Sequence, residues 1–215
     1  LKEAEKLDDK SLTNEIENLM YDIFFINIRS FSFHEQDLWH DLCARKAKYI
    51  CLAETWIDKS SPSPFQCHGR RVYHASLGRG KGVCILSTDE KQHFTICTPN
   101  FQIVSMPVED FQLTVAYVSS GDANLPDLKR ALEQIFDKNL PQLLLGDFNF
   151  SPKEENCVSG YLHEAGLSQV VTQPTQIAGR TLDHLYLSGE LKEKINFDVQ
   201  FKYFSDHAAL QIKLN

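Results

Sequence analysis

The chain has 215 residues, 42% of them hydrophobic and 24% charged, with a net charge of −7. This is enough for one domain with a substantial core, and the composition is that of a globular protein. The charge excludes a protein that grips nucleic acid by bulk positive potential, and no apolar run approaches the roughly 18 residues of a membrane helix.

Residues 1–20 are polar and lack a signal-peptide core, and read as a linker or peripheral helix ahead of a domain over 21–215. A start at Leu1 rather than Met suggests a piece of a longer polypeptide, or a removed tag. Ile23–Asn27 reads as a strand, His34–Ala47 as a helix through Leu38, Leu42 and Ala47, and Tyr49–Ala53 as a second strand. Ser60–Pro64 is a loop. Arg71–His74, Val83–Ser87, His93–Thr98, Gln102–Val108 and Gln112–Val118 are rich in β-branched and aromatic residues, which predicts consecutive antiparallel strands. Leu125–Phe136 predicts a helix, with Asn124 as N-cap and Pro126 in its first turn. Gln142–Leu145 reads as a buried strand, and Glu155–Ala165 as a helix ended by Gly166. Thr172–Thr181 is a loop or hairpin, and Leu182–Leu187, Asn196–Tyr203 and Ala208–Leu214 complete the strands. The pattern predicts an α/β fold of two packed, mostly antiparallel sheets with helices outside.

Polar clusters stand at the ends of the apolar runs: Asn27 to Ser30, Glu54 to Trp56, Gly146 to Asn149, and Ser205 to His207. Strands that deliver carboxylates, carboxamides and an imidazole to one rim suit phosphoryl transfer assisted by a divalent metal. Asp147 and Asn149 flank Phe148 and would face one site if extended; otherwise they close an Asx turn. Glu54 suits Mg²⁺, which takes one or two carboxylates and keeps several waters. Asn27 would either supply a carbonyl to the same ion or orient Glu54. His207 is a candidate general acid or base, with Asp183 accepting from its ring and Asp206 beside it. His184 reads as the weaker of the two Asp–His histidines and as a packing residue. Tyr117 ends a strand and would donate to a phosphate oxygen.

Gly78 to Gly82 is not a phosphate-binding loop, because its spacing is wrong and a strand follows. Its Arg79 and Lys81, with Arg70 and Arg71, form the densest positive stretch and are expected to contact nucleic-acid backbone. Arg29 and Arg180 are further candidates. None of Cys43, Cys51, Cys67, Cys84, Cys97 and Cys157 forms a C-x-x-C pair, so zinc and redox readings are weak. Scattered buried thiols fit a reducing compartment, nucleus or cytoplasm.

The order Asn27, Glu54, Tyr117, Asp147-x-Asn149, Asp183, Asp206-His207 resembles the endonuclease/exonuclease/phosphatase superfamily. The wording Asn-Ile-Arg-Ser, Glu-Thr-Trp, Gly-Arg-Gly-Lys-Gly-Val and Gly-Asp-Phe-Asn looks like the apurinic-type endonuclease domains of non-LTR, LINE-type retrotransposons and Helitron-like mobile elements. So does Val171 to Thr175 followed by Gly179 to His184. The resemblance implies a four-layer α/β sandwich and hydrolysis of DNA phosphodiesters with Mg²⁺ or Mn²⁺, leaving a 3′-hydroxyl and a 5′-phosphate. It implies Glu54 as principal metal ligand, helped by Asn27, with Asp206 assisting the metal or the leaving oxygen. Asp147 would position or deprotonate water, Asn149 and Tyr117 would stabilise the transition state, and His207, oriented by Asp183, would contact the phosphate. The domain would act as a monomer beside other domains of its parent, with loose sequence preference because Gln173–Arg180 is short. Rival readings are a phosphatase, deadenylase or DNA-end-processing enzyme of the same fold, and a domesticated binding domain without catalysis.

Overall fold

The computed structural model describes residues 21–121 and 125–215. The linker reading of residues 1–20 and the Asn124 cap lie outside the described residues.

In chain order the strands are β1 (Ile23–Asn27), β2 (Tyr49–Ala53), β3 (Phe65–Cys67), β4 (Arg70–Ala75), β5 (Val83–Ser87), β6 (Phe94–Cys97), β7 (Phe101–Val108), β8 (Phe111–Val118), β9 (Gln142–Asp147), β10 (Leu167–Gln169), β11 (Asp183–Ser188), β12 (Ile195–Phe201) and β13 (Ala208–Leu214). The helices are α1 (Phe31–His40), α2 (Leu42–Lys46), α3 (Leu125–Ile135), α4 (Cys157–Glu164) and α5 (Gly189–Lys192). One sheet has seven strands in the order β12-β13-β1-β2-β5-β4-β3, the other six in the order β10-β11-β9-β8-β7-β6. Each sheet is antiparallel except for one parallel pair: β1 with β2, crossing over through α1 and α2, and β8 with β9, crossing over through α3.

The layering follows from side-chain alternation. Ile23 and Phe25 of β1 face inward with Cys51, Val115 and Leu145, forming the core between the sheets. Phe24 and Ile26 face outward onto Leu38 of α1 and Ala44 of α2. On the far side, Ala116 and Leu144 pack against Leu128 and Leu132 of α3 and Leu162 of α4. The central strands are therefore covered on both faces, which explains their unbroken apolar runs. The result is a four-layer α/β sandwich. No helix among the described residues is long and apolar enough to cross a membrane.

The structure corrects several local readings. The single helix expected over His34–Ala47 is two, because the Asp41 carboxylate accepts from the Ala44 amide at 2.9 Å and caps a new helix. The predicted strands from Arg71 to Val118 are not one meander: β4 and β5 belong to one sheet, β6 to β8 to the other. Helix α4 begins at Cys157, where Asn156 forms a capping box with Ser159.

Candidate active site

Both parallel pairs end at the same rim. The chain leaves β1 at Asn27 and β2 into Glu54; it leaves β8 past Tyr117 and β9 at Asp147, with Tyr117 and Asp147 in register. In the antiparallel neighbours, Asp183 at the start of β11 pairs with Asp147, and His207 immediately precedes β13. The fold thus gathers residues up to 180 positions apart in the chain.

Asn27 is fully buried and links the two sheets. Its Nδ2 donates to Glu54 Oε1 at 3.0 Å and to Asp147 Oδ2 at 2.8 Å. Its Oδ1 accepts from the Arg29 amide at 3.2 Å. Asn27 in this arrangement is a clamp holding two carboxylates together, with its donor end toward them, rather than a carbonyl ligand. Glu54 follows its strand with φ of 48°, a left-handed conformation that turns the chain into Thr55 and Trp56. The amides of those two residues are held by the carbonyls of Gly82 and Lys81. Gly82 is required there: with φ of 105°, an added Cβ would stand 2.5 Å from Ser76 Oγ.

Asp147 is buried, and β9 runs two residues beyond the predicted Leu145 to include it. Burial and the Asp183 charge raise its carboxyl to about 8, with His207, the Asn27 amide and the Asn149 amide pulling the other way. Asn149 is not extended beside it. Its φ is 54°, its amide donates back to Asp147 Oδ1 at 3.1 Å, and its Nδ2 donates to the Val118 carbonyl at 2.8 Å. The Asx turn is therefore present and fixes the carboxamide at the site's edge.

His207 Nδ1 meets Asp183 Oδ2 at 2.7 Å, both groups buried. Burial alone would lower the imidazole, but the Asp183 bond and the charges of Asp183, Asp147 and Asp206 outweigh it and raise His207 to about 9. His207 is therefore an imidazolium at neutral pH. Burial, with the nearby Glu54 and Asp147 charges, pushes the Tyr117 hydroxyl well up, so it remains a donor. Asp206 Oδ2 accepts from Arg29 at 3.1 Å. His184 is separate from the site: its ring stacks on Phe148 at 4.9 Å, contacts the Phe150 carbonyl, and is lowered by burial to about 4.

Two hydroxyls that the sequence reading passed over support these groups. Ser205 Oγ donates to the Asn27 carbonyl at 2.7 Å and accepts from the His207 amide at 3.0 Å, tying two strand ends together. Thr175 Oγ1, buried, accepts from the amides of Leu182 and Asp183, both at 3.0 Å. Neither has a sequence signal beyond its place beside a charged motif.

The basic candidates divide. Arg29, Arg79, Lys81 and Arg180 lie around this rim; Arg79 sits 5.7 Å over the Trp56 ring. Arg70 and Arg71 do not. Register places them at the opposite end of the sheet, where Arg71 pairs with Ser87 and Ser87 with Tyr49. Arg70 is buried and donates to the carbonyls of Lys48, Ala47 and Arg45, so it is unavailable to a phosphate.

Two grooves border the site. One, of about 880 Å³, is edged by Arg29, Phe33, Trp56, Tyr203 and Asp206. The other, of about 700 Å³, is edged by Asn149, Pro174 and Arg180. Phe33 and Tyr203 are 79% and 80% exposed.

The donor set suits a hard divalent ion. Glu54, Asp147, Asp183 and Asp206 offer carboxylate oxygens, and Oδ1 of both Asp183 and Asp206 is buried without a hydrogen-bond partner among the described residues. Asp147, Asp183 and His207 also lie close enough to share an ion. Two of those donors already bind each other at 2.7 Å, which favours an ion nearer Glu54.

A family model described as the Endonuclease/Exonuclease/phosphatase family matches residues 7–207. No curated protein matches the sequence. Similar solved structures include the endonuclease domain of TRAS1, a telomere-specific non-LTR retrotransposon, at 17% identity, covering 91% of this chain and 98% of that one, with a TM-score of 0.65. The 3′ phosphatase NExo from Neisseria, bound to a product DNA hairpin, is 16% identical, with coverage of 91% and 99% and a TM-score of 0.72. An AP endonuclease from Archaeoglobus fulgidus is 16% identical, with coverage of 90% and 98% and a TM-score of 0.72. At these identities the likeness is one of fold.

Proposed function

The chain belongs to the endonuclease/exonuclease/phosphatase family, and from that premise we propose that it is a Mg²⁺- or Mn²⁺-dependent endonuclease that nicks DNA, serving as the target-nicking domain of a mobile-element polyprotein. The observation that carries this reading is the Asn27 clamp between Glu54 and Asp147, set beside the buried Asp183–His207 pair.

Glu54, with Asp206, would hold the ion. When bound, the ion supplies charge neutralisation at the phosphate and its leaving oxygen. Asp147, held by Asn27 Nδ2, takes a proton from the attacking water in its ionised fraction, which grows as pH rises toward 8. That water's oxygen bonds to phosphorus as the bond to the 3′ oxygen breaks, and the departing 3′ oxygen takes a proton from solvent water. His207, cationic and fixed by Asp183 through Nδ1, directs Nε2 to a non-bridging oxygen. Asn149 and the Tyr117 hydroxyl donate to the same charge as it develops.

Open grooves on both sides of the site favour a polymer laid across it over a small enclosed phosphate ester. The basic residues at this rim and the exposed Phe33 and Tyr203 rings suit backbone contacts and base stacking, which offset the chain's net charge of −7. Six free thiols fit a reducing compartment, nucleus or cytoplasm, and we read the domain as a monomer working beside others in its parent polypeptide.

The test is nicking of supercoiled plasmid with Mg²⁺, with EDTA, Asp147→Ala and His207→Ala as controls. Open circles that vanish in all three controls are expected. Plasmid left supercoiled at low salt with Mn²⁺ overturns the reading and turns attention to phosphatase and deadenylase substrates.

A further inference from the structure

Away from the active site, Glu35 on α1 faces the tight turn between β3 and β4. Its Oε1 accepts from the Cys67 thiol at 3.4 Å and lies 2.9 Å from His68 Nε2. Donor atoms of all three residues lie within 4.8 Å of one another. We propose that Glu35, Cys67 and His68 form a second metal site, selective for a thiolate-binding divalent ion such as Zn²⁺, that pins the β3–β4 hairpin to α1.

The donors are close to metal-ready positions. A tetrahedral Zn²⁺ with bonds of about 2.3 Å to sulfur and about 2.0–2.2 Å to nitrogen and oxygen sets neighbouring donors about 3.3–3.6 Å apart. The Glu35–Cys67 contact already has that spacing, the Glu35–His68 contact needs to open by a few tenths of an ångström, and the Cys67–His68 pair, within 4.8 Å, needs to close onto the ion. Three protein ligands leave the fourth position to water. The mixed sulfur, nitrogen and oxygen set distinguishes this site from the oxygen-rich active site, where Mg²⁺ fits better.

The backbone aims the ligands. Cys67 pairs with Arg70 across a two-residue turn, and both turn residues have positive φ, 47° at His68 and 74° at Gly69. This is the hairpin turn that usually takes Asn-Gly, and here an imidazole stands in the first place. The Trp39 ring, one helical turn after Glu35, packs on the His68 ring at 4.6 Å and fixes its orientation. β3 is the last strand of its sheet and only three residues long, so a metal link to α1 would add to the packing of Phe65 and Cys67 in securing this edge.

The proton balance is simple. Burial and Glu35 push the Cys67 thiol up to about 12, so without metal it keeps its proton. On binding, the S–H bond breaks, the proton goes to solvent, and the sulfur pair goes to the ion; His68 binds through Nε2 as neutral imidazole, with its remaining proton on Nδ1.

The experiment uses Co²⁺ as the probe, added to chelator-stripped full chain in excess Mg²⁺ so that the carboxylate site is occupied by the harder ion. A thiolate-to-cobalt charge-transfer band that saturates at one equivalent is expected, as is a raised thermal midpoint with Zn²⁺. Cys67→Ser should remove the band. His68→Asn, which suits the turn, should weaken Co²⁺ binding at least 10-fold. Both variants should retain the circular-dichroism spectrum and the Mg²⁺-dependent nicking of the parent. No band at saturating Co²⁺, or a band undiminished in Cys67→Ser, overturns the site and leaves only a His–Glu ion pair.

Discussion

At the rim where β1, β2, β8 and β9 end, Arg29, Ser30, Glu54, Trp56 and Asn149 all have positive φ; at the opposite rim His68 and Glu109 do. Positive φ in a residue with a side chain is costly, of order 1–3 kcal/mol where the conformation is sparsely populated. The active rim also carries buried carboxylate oxygens on Asp183 and Asp206 without partners among the described residues, while the buried Arg70 of the opposite rim has three carbonyls on its guanidinium. One end of the sandwich stores strain and unmatched charge that a ligand would relieve. The other end anchors the sheet. Perturbations of the two ends should therefore separate activity from stability.

Gly146→Ala should have the largest effect, because it damages the framework that both rims share. A Cβ there would stand 1.9 Å from the Ala116 carbonyl oxygen, across the parallel β8–β9 pair. No rotamer relieves a clash with backbone, so the loss should reach or exceed the top of the roughly 1–3 kcal/mol range for overpacked sites. Urea unfolding measures it; an unchanged midpoint would show that β8 and β9 can separate without cost.

Asn27→Ala comes next and acts on the active rim alone. It removes the donor between Glu54 and Asp147 and leaves two carboxylates facing each other. Misplacing them by about 1 Å should cost on the order of 10²-fold in nicking rate. Asn27→Asp should be as poor, because it replaces the shared donor with another carboxyl group beside Glu54 and Asp147. Single-turnover plasmid nicking with Mg²⁺ gives the number, and activity within about 2-fold of the parent would remove the clamp from the mechanism.

Arg70→Ala tests the anchor. Losing charge-assisted bonds to three carbonyls should destabilise the fold by about 2–3 kcal/mol and leave the salt dependence of DNA binding untouched. Arg71, paired at the surface with Glu90, should do neither when changed to Ala. A reduced salt slope in either variant would return the opposite rim to the DNA interface.

The Arg70 case also shows what a linear reading can and cannot see. Arg70, Arg71, Arg79 and Lys81 are close in sequence, but a strand stands between them, and a six-residue strand carries its ends about 17 Å apart. The runs Ile23–Phe25, Tyr49–Leu52 and Leu143–Leu145 were legible because strands buried on both faces have no polar alternation to blur them. The site followed from these, since a polar cluster directly after such a run must emerge at a strand end. Three-residue β3 and β10 carry too little pattern to register. The break at Asp41 was hidden because Leu38, Leu42 and Ala47 keep helical spacing across it. Ser205 and Thr175 do their work through one hydroxyl each, which no spacing distinguishes from a surface hydroxyl. The Glu35–Cys67–His68 cluster was passed over for the same reason: one of its members comes from a different element, 32 positions away from Cys67.

The pH dependence of stability in EDTA distinguishes the rims by slope. Asp147 is raised from 3.8 to about 8, so between those values the folded state holds a proton that the unfolded chain has released, and stability falls as pH rises. His207 is raised from 6.5 to about 9, and its contribution, complete below 6.5, is lost as pH climbs through 9. Both groups act in one direction, while the buried His184, lowered from 6.5 to about 4, acts the other way and offsets Asp147 up to pH 6.5, so the thermal midpoint should stay nearly level from pH 5 to pH 6.5 and drop from pH 6.5 to pH 9, by about 2–4 °C for each kcal/mol lost. Asp147→Asn should flatten the profile, because it removes one titrating group and part of the negative field that holds the His207 proton. Arg70→Ala should lower the whole profile and keep its slope. Midpoint scans of the three proteins decide the matter: a parent profile that rises between pH 6.5 and pH 9, or an Asp147→Asn profile parallel to it there, would mean that the active-rim charges do not set the stability of this fold.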